Sequence, residues 1–240
     1  MRLMNRILFI SDLHLSDIRH ALGRDELLLA RLTKLILSRN YKAILNLGDT
    51  VSRKEFLPEG TDPRKVFGMY KEWRDSLGIP FRECTIFRER AFFRDIFGQQ
   101  EDSIWEGLPG ITVLTFSPDC DDDHQATDAQ WEWISEQARR TAGHALVICS
   151  HVPYPSCVSR PETPGIYLPV PESLRQLLVN RESPVFWASG HFHWKEEPPM
   201  RKGSLTAFIG ARFMMGDKPG QETYLRELDL DTLELNTIHF

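Results

Sequence analysis

Short apolar segments alternate with amphipathic ones along most of this chain. The apolar segments predict buried strands at residues 7–10, 43–47, 81–85, 111–116, 145–150, 185–189, 205–209, 223–230 and 233–238. The amphipathic segments predict helices at residues 25–38, 63–76, 90–97, 128–140 and 171–180. Strands that alternate with helices and are followed by paired terminal strands indicate an α/β core with some antiparallel edge.

The size and charge of the chain limit the classes of protein to which it can belong. A length of 240 residues with 41% hydrophobic side chains predicts one domain spanning residues 1–240 with a substantial core. Lys and Arg number 29 against 34 Asp and Glu, for a net charge of −5. We therefore expect no extended nucleic-acid partner. The sequence does not indicate an oligomeric state.

The cysteines and the apolar segments indicate a cytoplasmic protein. The four cysteines (Cys84, Cys120, Cys149 and Cys157) form no Cys-x-x-Cys pair and are too few for a disulfide scaffold. The apolar run at residues 8–10 is too short for the core of a signal peptide. No run approaches the about twenty apolar residues that a membrane span needs.

Aspartate or histidine follows four of the predicted strands within two residues of the strand end. The strands run into Asp12-x-His14, Gly48-Asp49, His151 and Gly190-His191-x-His193. Residues two apart in an extended segment point to the same side, and α/β sheets place their sites at the carboxyl ends of strands. The six side chains therefore predict a metal centre.

The chemistry of this set suits transition metals. Two carboxylates and four imidazoles favour Mn²⁺, Fe²⁺/Fe³⁺ or Zn²⁺ over Ca²⁺ or Mg²⁺. Six ligands exceed what one tetrahedral ion uses, so we expect two ions that share a bridging carboxylate. Such a pair clamps a phosphoryl group and activates water. The predicted reaction is the metal-assisted hydrolysis of a phosphoester.

The ordered motifs resemble those of the calcineurin-like metallophosphoesterases. The resemblance implies a four-layer α/β/β/α sandwich with two mixed β-sheets. It implies that Asp12, His14 and His193 hold one metal, that His151 and His191 hold the other, and that Asp49 bridges them. It further implies a small phosphomonoester or phosphodiester as substrate, attacked by a metal-bound hydroxide. Residues 130–133 and 147–151 are similar to the branch that contains cyclic-nucleotide phosphodiesterases.

One motif departs from the family pattern. Where the family has Gly-Asn-His-Asp or Gly-Asn-His-Glu, this chain has residues 86–89, with Phe87 at the position of the ligand Asn and Arg88 at that of His. No asparagine occurs from residue 51 to 140. We expect a weaker second metal site, completed by solvent or by an acid such as Glu83, Glu89 or the run 121–124. Arg88 is predicted to stabilise charge on the phosphoryl oxygens.

Two functions remain open at this point. One is a working phosphoesterase, in which Asp49, Arg88 and His151 are catalytic and the loop 153–171 covers the site. The other is a metallophosphoesterase-like protein without turnover that acts as a binding or regulatory partner. A nuclease is disfavoured by the acidic net charge. A serine hydrolase built on Ser150 is disfavoured because Ser150 and His151 would face opposite ways on their strand.

Overall fold

The computed structural model describes residues 5–19, 22–86, 89–118, 125–155, 157, 167–192, 196–212 and 223–239. Within these residues the strands form two six-stranded sheets. The strands of the first sheet are β1 (Arg6–Ile10), β2 (Tyr41–Asn46), β3 (Phe81–Glu83), β10 (Ala211–Arg212), β11 (Tyr224–Asp229) and β12 (Leu235–His239). They are arranged in the order β10-β11-β1-β2-β3, and β12 also pairs with β11. Strands β1, β2 and β3 are parallel.

The second sheet has a parallel centre and antiparallel edges. Its strands are β4 (Ser103–Leu108), β5 (Ile111–Phe116), β6 (Ala145–Ser150), β7 (Val185–Ser189), β8 (Met200–Lys202) and β9 (Leu205–Ile209), in the order β4-β5-β6-β7-β9-β8. Strands β5, β6, β7 and β9 run parallel, while β4 and β8 are antiparallel to their neighbours. Both sheets are therefore mixed, as predicted.

The helices cover the outer faces of the two sheets. The helices α1 (Arg24–Arg39), α2 (Pro63–Ser76) and α3 (Arg90–Phe97) pack on the first sheet, and α4 (Asp128–Arg140) and α5 (Glu172–Val179) pack on the second. A short 3-10 helix spans Lys54–Phe56. This arrangement is the predicted α/β/β/α sandwich. No helix in the described ranges is long and apolar enough to cross a membrane.

The alternation of side chains along a strand decides which core layer each side chain enters. In β1, Leu8 and Ile10 pack with the helices, while Ile7 and Phe9 face the second sheet. Phe9 meets Phe208 of β9 edge-on, with ring centroids 5.1 Å apart and an interplanar angle of 81°. Because side chains alternate along a strand, one apolar run supplies both core layers.

Helix α4 begins where the sequence predicts. The Thr127 side chain accepts a hydrogen bond from the Gln130 backbone N–H, and the Gln130 side chain accepts one from Thr127, so the two form a capping box. This pairing satisfies two N–H groups that the first turn leaves without an intrahelical partner. Thr127 is therefore the N-cap of α4.

The strands that the sequence analysis omitted are short or lie at the sheet edges. Strand β4 is an edge strand whose side chains are mostly exposed or half-buried, and it includes Gly107. Strands β8 and β10 have three and two residues. Such segments carry too little apolar periodicity to be recognised from sequence. Most of the predicted loop 153–171 and all of the acidic run 121–124 lie outside the described residues.

Arg181, just after α5, is buried against the carboxyl end of α4. Its guanidinium donates to the backbone oxygens of Ala138 (3.1 Å), His144 (2.8 Å) and Thr141. The last carbonyls of a helix have no intrahelical donors and carry partial negative charge. Arg181 therefore joins α4 and α5 through backbone oxygens at the carboxyl end of α4 and in the turn that follows it.

We predict that Arg181→Met lowers the free energy of unfolding by about 2–3 kcal/mol, because a charged donor is lost to buried carbonyls. Urea unfolding at neutral pH measures the change. The control is Arg140→Met, since Arg140 contacts Glu106 at 3.0 Å on the surface with 48% of its side chain exposed. A surface pair contributes about 0–1 kcal/mol. Equal losses in the two variants would contradict the assignment.

Candidate metal centre

The carboxyl ends of the parallel strands meet at one edge of the sandwich, and the chain remains paired beyond them. After β1 and β2 end, Asp12 N–H donates to the Gly48 oxygen (2.9 Å) and His14 N–H donates to the Asp49 oxygen (3.2 Å). In the second sheet, Gly190 N–H donates to the His151 oxygen at 3.0 Å. These bonds bring together the loops that carry the predicted ligands.

The backbone is left-handed at four of the predicted ligands. The φ angles are 54° at Asp12, 47° at His14, 53° at Asp49 and 66° at His191. Non-glycine residues seldom adopt positive φ, and such strain persists only where the surrounding structure enforces it. The loops are therefore held in an unfavourable conformation by the sheet edge, a feature that is common at functional sites.

Three of the predicted ligands form one buried group. Asp12, Asp49 and His151 each offer a ligand atom, and these atoms all lie within 4.8 Å of one another. Within the part of the chain that the structure describes, this is the group of donors that could hold a metal ion. Two carboxylate oxygens and an imidazole nitrogen suit Mn²⁺, Fe²⁺ or Zn²⁺.

The ring of His151 is oriented by the neighbouring sheet. Its Nδ1 lies 2.9 Å from the backbone oxygen of Leu47, the residue that follows β2. A carbonyl oxygen can only accept, so Nδ1 carries the proton and the ring lone pair resides on Nε2. Histidines that bind metals commonly donate their other ring N–H to a carbonyl in this way. This contact leaves the Nε2 lone pair of His151 available as a ligand for a metal ion.

Both sheets orient the Asp12 carboxylate. Oδ2 accepts from the Ser11 hydroxyl at 2.5 Å and from the His191 backbone N–H at 3.0 Å. The first donor belongs to the loop after β1 and the second to the loop after β7. Hydrogen bonds to the ionised form stabilise the charge that a metal ligand needs.

The two remaining histidines of the described set lie beside the group. His14 Nδ1 is 3.6 Å from Asp49 Oδ1. The ring of His191 meets that of His151 edge-on, with centroids 5.1 Å apart. Their roles as ligands stay predictions. His193, Phe87 and Arg88 lie outside the described residues. The predictions made for these three residues therefore stay predictions.

Glu83, one candidate for an additional ligand, is instead committed to a buried network. Its carboxylate accepts from Asn46 Nδ2 (2.8 Å) and from Arg74 Nη1 (3.1 Å), and Tyr70 also contacts it. Burial raises the pKa of the Glu83 carboxyl, although Arg74 and the hydrogen bonds act to lower it. Asn46 Oδ1 accepts from Gly48 N–H at 3.2 Å, so the network supports the turn before Asp49. Glu89, the other local candidate, is not in the three-residue group either.

Glycine is required at two positions beside the group. A Cβ added at Gly190 would lie 2.0 Å from Ser11 Oγ and 2.9 Å from Asp12 Oδ2. Gly48 has a φ of 93°, and a Cβ there would lie 3.2 Å from His151 Nδ1. The ligands therefore pack directly against backbone, with no room for a side chain.

Ser150 does not have the surroundings of a nucleophile. Its hydroxyl donates to the Val152 oxygen (2.8 Å) and accepts from Trp187 Nε1 (2.9 Å) in the buried layer next to α4 and α5. His151 instead reaches Leu47 in the first sheet. The two side chains thus face different layers, which argues against a serine hydrolase.

Three supporting groups were missed by the sequence analysis. The Ser11 hydroxyl, the Leu47 carbonyl and the Asn46 side chain each fix a group of the centre. The signal for Ser11 and Asn46 was present, because a polar side chain inside an apolar strand end needs a partner. The sequence carries no signal for the Leu47 carbonyl, because its contact with His151 depends on how the two sheets pack.

Comparison with known proteins identifies the fold. No protein-family model and no curated protein matches the chain. A dimetal phosphatase from Danio rerio is similar in structure, with a TM-score of 0.65, 11% identity and coverage of 99% of each chain. A protein of Thermus thermophilus has a TM-score of 0.53 at 13% identity, covering 98% of this chain and 99% of that chain. The chain therefore has the metallophosphoesterase fold that its motifs imply.

We predict that Gly190→Ala weakens Mn²⁺ binding and lowers the free energy of unfolding by about 1–3 kcal/mol, because the new methyl displaces Ser11 and Asp12. Calorimetric titration with Mn²⁺ and urea unfolding measure the two effects. Gly68→Ala is the matched control, since its Cβ would have no neighbour within 4 Å. That change, in the middle of α2, should stabilise the helix by up to about 1 kcal/mol. Unchanged Mn²⁺ affinity in Gly190→Ala would contradict the proposed packing.

Proposed function

We propose that this chain is a metal-dependent phosphoesterase that hydrolyses a small phosphomonoester or phosphodiester. The observation that carries the proposal is the buried group of Asp12, Asp49 and His151, whose donor atoms lie within 4.8 Å of one another. The group lies where the parallel strands of a metallophosphoesterase fold end. The same fold in a dimetal phosphatase supports the assignment.

The metal ligands of the proposal are the residues predicted from sequence. Asp12, His14 and His193 would hold one metal ion and His151 and His191 the other, with Asp49 shared between the two sites. The donors favour Mn, Fe or Zn. A divalent ion bound there acts as a Lewis acid on phosphoryl oxygens and lowers the pKa of water toward about 7. The second site is the weaker one, because Phe87 supplies no ligand atom.

The chain's own residues then set the geometry of the reaction. The Leu47 carbonyl holds the His151 ring in one tautomer, and the Ser11 hydroxyl and the His191 N–H hold the Asp12 carboxylate. Groups that are oriented before substrate binds need no reorganisation during the reaction. In the proposal Arg88 balances negative charge on the phosphoryl oxygens. The acidic net charge of −5 favours a small substrate over an extended nucleic acid. The proposal places the protein in the cytoplasm.

We expect Asp49→Asn to abolish the hydrolysis of p-nitrophenyl phosphate and bis-p-nitrophenyl phosphate and to remove most of the bound metal. An amide lacks the charge needed to bridge two cations. Elemental analysis after reconstitution with Mn²⁺ gives the metal content, and release of nitrophenolate gives the activity. Asp75→Asn is the control, because Asp75 is 45% exposed and paired with Lys71 on the surface. Full activity in Asp49→Asn would contradict the proposal.

The metal content of the wild-type protein tests the second site. Two equivalents of Mn²⁺ per chain would support a dinuclear centre in which solvent or another side chain replaces the missing ligand. One equivalent would contradict the dinuclear part of the proposal. Bound metal without turnover of either aryl phosphate would instead favour the binding or regulatory function that the sequence left open.

A further inference from the structure

A buried aspartate holds an arginine near the candidate metal centre. Arg19 donates from Nε to Asp17 Oδ1 (2.8 Å) and from Nη2 to Oδ2 (2.5 Å), so the pair is bidentate. The Arg19 backbone N–H also donates to Asp17 Oδ1 at 2.9 Å, and the Ser52 hydroxyl donates to Oδ2 at 2.7 Å. The Asp17 side chain is fully buried. Its position is therefore fixed, and the guanidinium is fixed with it.

An aromatic ring fixes the plane of the same guanidinium. The central carbon of the Arg19 guanidinium lies 3.5 Å from the centroid of the Phe56 ring. Stacking on a ring leaves the in-plane N–H groups available for hydrogen bonds. Arg19 is thus held by a carboxylate along one edge and by a ring on one face, and little side-chain entropy remains to be lost when it binds a ligand.

The segment that carries Arg19 is an extension of the metal-centre loops. Leu15 pairs with Val51 in a parallel bridge, and Ile18 N–H donates to the Phe56 oxygen at 2.8 Å. The chain leaving β1 and the chain leaving β2 therefore run side by side from Asp12 and Asp49 to Arg19. The hydrogen bond with Asp17 is the main cause that raises the pKa of Arg19, and the charges of Asp17, Glu55 and Asp49 add to it. The Ser52 hydroxyl, 2.7 Å from Asp17 Oδ2, also lies 3.5 Å from the backbone oxygen of His14, so Asp17 and Arg19 adjoin the loop that carries the predicted ligands.

Part of the hydrogen-bonding capacity of Arg19 remains unused. No residue in the described ranges accepts a hydrogen bond from its Nη1, and half of the side chain (50%) is exposed. Arginine offers planar donors that match phosphate oxygens, and such charge-assisted bonds are among the stronger ones.

We propose that Arg19 binds a phosphoryl oxygen of the substrate at the edge of the metal centre, with Asp17, Ser52 and Phe56 as positioning residues. The inference rests on the proposed function for the identity of the substrate. The ligand class is a phosphate group with exposed oxygens, which a phosphomonoester and inorganic phosphate share. The Asp17 carboxylate neutralises much of the arginine charge, so the contribution of Arg19 comes mainly from oriented N–H donors.

The test compares Arg19→Met with the wild type, both loaded with Mn²⁺. Calorimetric titration with inorganic phosphate should give a Kd about tenfold higher in the variant, as expected for the loss of one charge-assisted bond. KM for p-nitrophenyl phosphate should rise by a similar factor with a smaller change in kcat. Metal content should not change. Arg140→Met is the matched control, because Arg140 is 48% exposed, pairs with Glu106 and lies near the amino end of β6, at the opposite edge of the sheet.

The outcomes separate the two proposals. Equal phosphate affinity and KM in Arg19→Met and wild type would overturn the role of Arg19, as would a wild-type protein that binds no phosphate. Phosphate binding that depends on Arg19 without turnover would retain the inference and contradict the phosphoesterase. If Arg19→Met loses metal, Arg19→Lys provides the test of the proposed geometry. Lysine keeps the positive charge but lacks the planar arrangement of N–H donors. Wild-type phosphate affinity in Arg19→Lys would overturn the proposed geometry.

Discussion

The close approach of the two sheets at their common edge is the constraint on which the candidate centre depends. At Gly210 the chain passes from β9 in the second sheet to β10 in the first. Its N–H donates to Ser189 of β7 and its oxygen accepts from Arg226 of β11, both at 2.8 Å. A Cβ at this position would lie only 2.4 Å from Leu47 Cδ1. Glycine thus lets the sheets approach closely enough for His151 to reach the Leu47 carbonyl.

This approach also explains how strained loops persist in the folded protein. A left-handed non-glycine residue costs roughly 1–2 kcal/mol, and Asp12, His14, Asp49 and His191 all adopt positive φ. The cost is offset because the loops continue the hydrogen-bonded pairing of β1 with β2. The residues at the start of the loops also pack in the apolar core layers. The geometry of the site is therefore set by the fold rather than by the ligand side chains.

The layers of the fold and the location of the centre followed from local patterns. Alternating apolar and amphipathic segments predicted the α/β core, the family resemblance implied its two sheets, and the strand ends predicted that Asp12, Asp49 and His151 would converge. The edge strands β4 and β8 did not follow, because their residues are few and partly exposed. The contact of His151 with Leu47 and the pairing of Asp17 with Arg19 could not be predicted from sequence either. Both depend on loop paths that periodicity does not encode. A single domain over residues 1–240 and the ligand roles of His14, His191 and His193 stay predictions.

The electrostatics of the centre link metal binding to substrate binding. Asp12 and Asp49 bring two carboxylates into one buried group, and like charges at such distances destabilise each other unless a cation or proton intervenes. A bound cation would relieve this repulsion and stabilise the folded state by mass action. The same carboxylates would repel a phosphate in a chain whose net charge is −5. In the proposal an anionic substrate therefore needs both the metal and fixed donors such as Arg19. The Asp17 side chain is fully buried, while half of the Arg19 side chain is exposed.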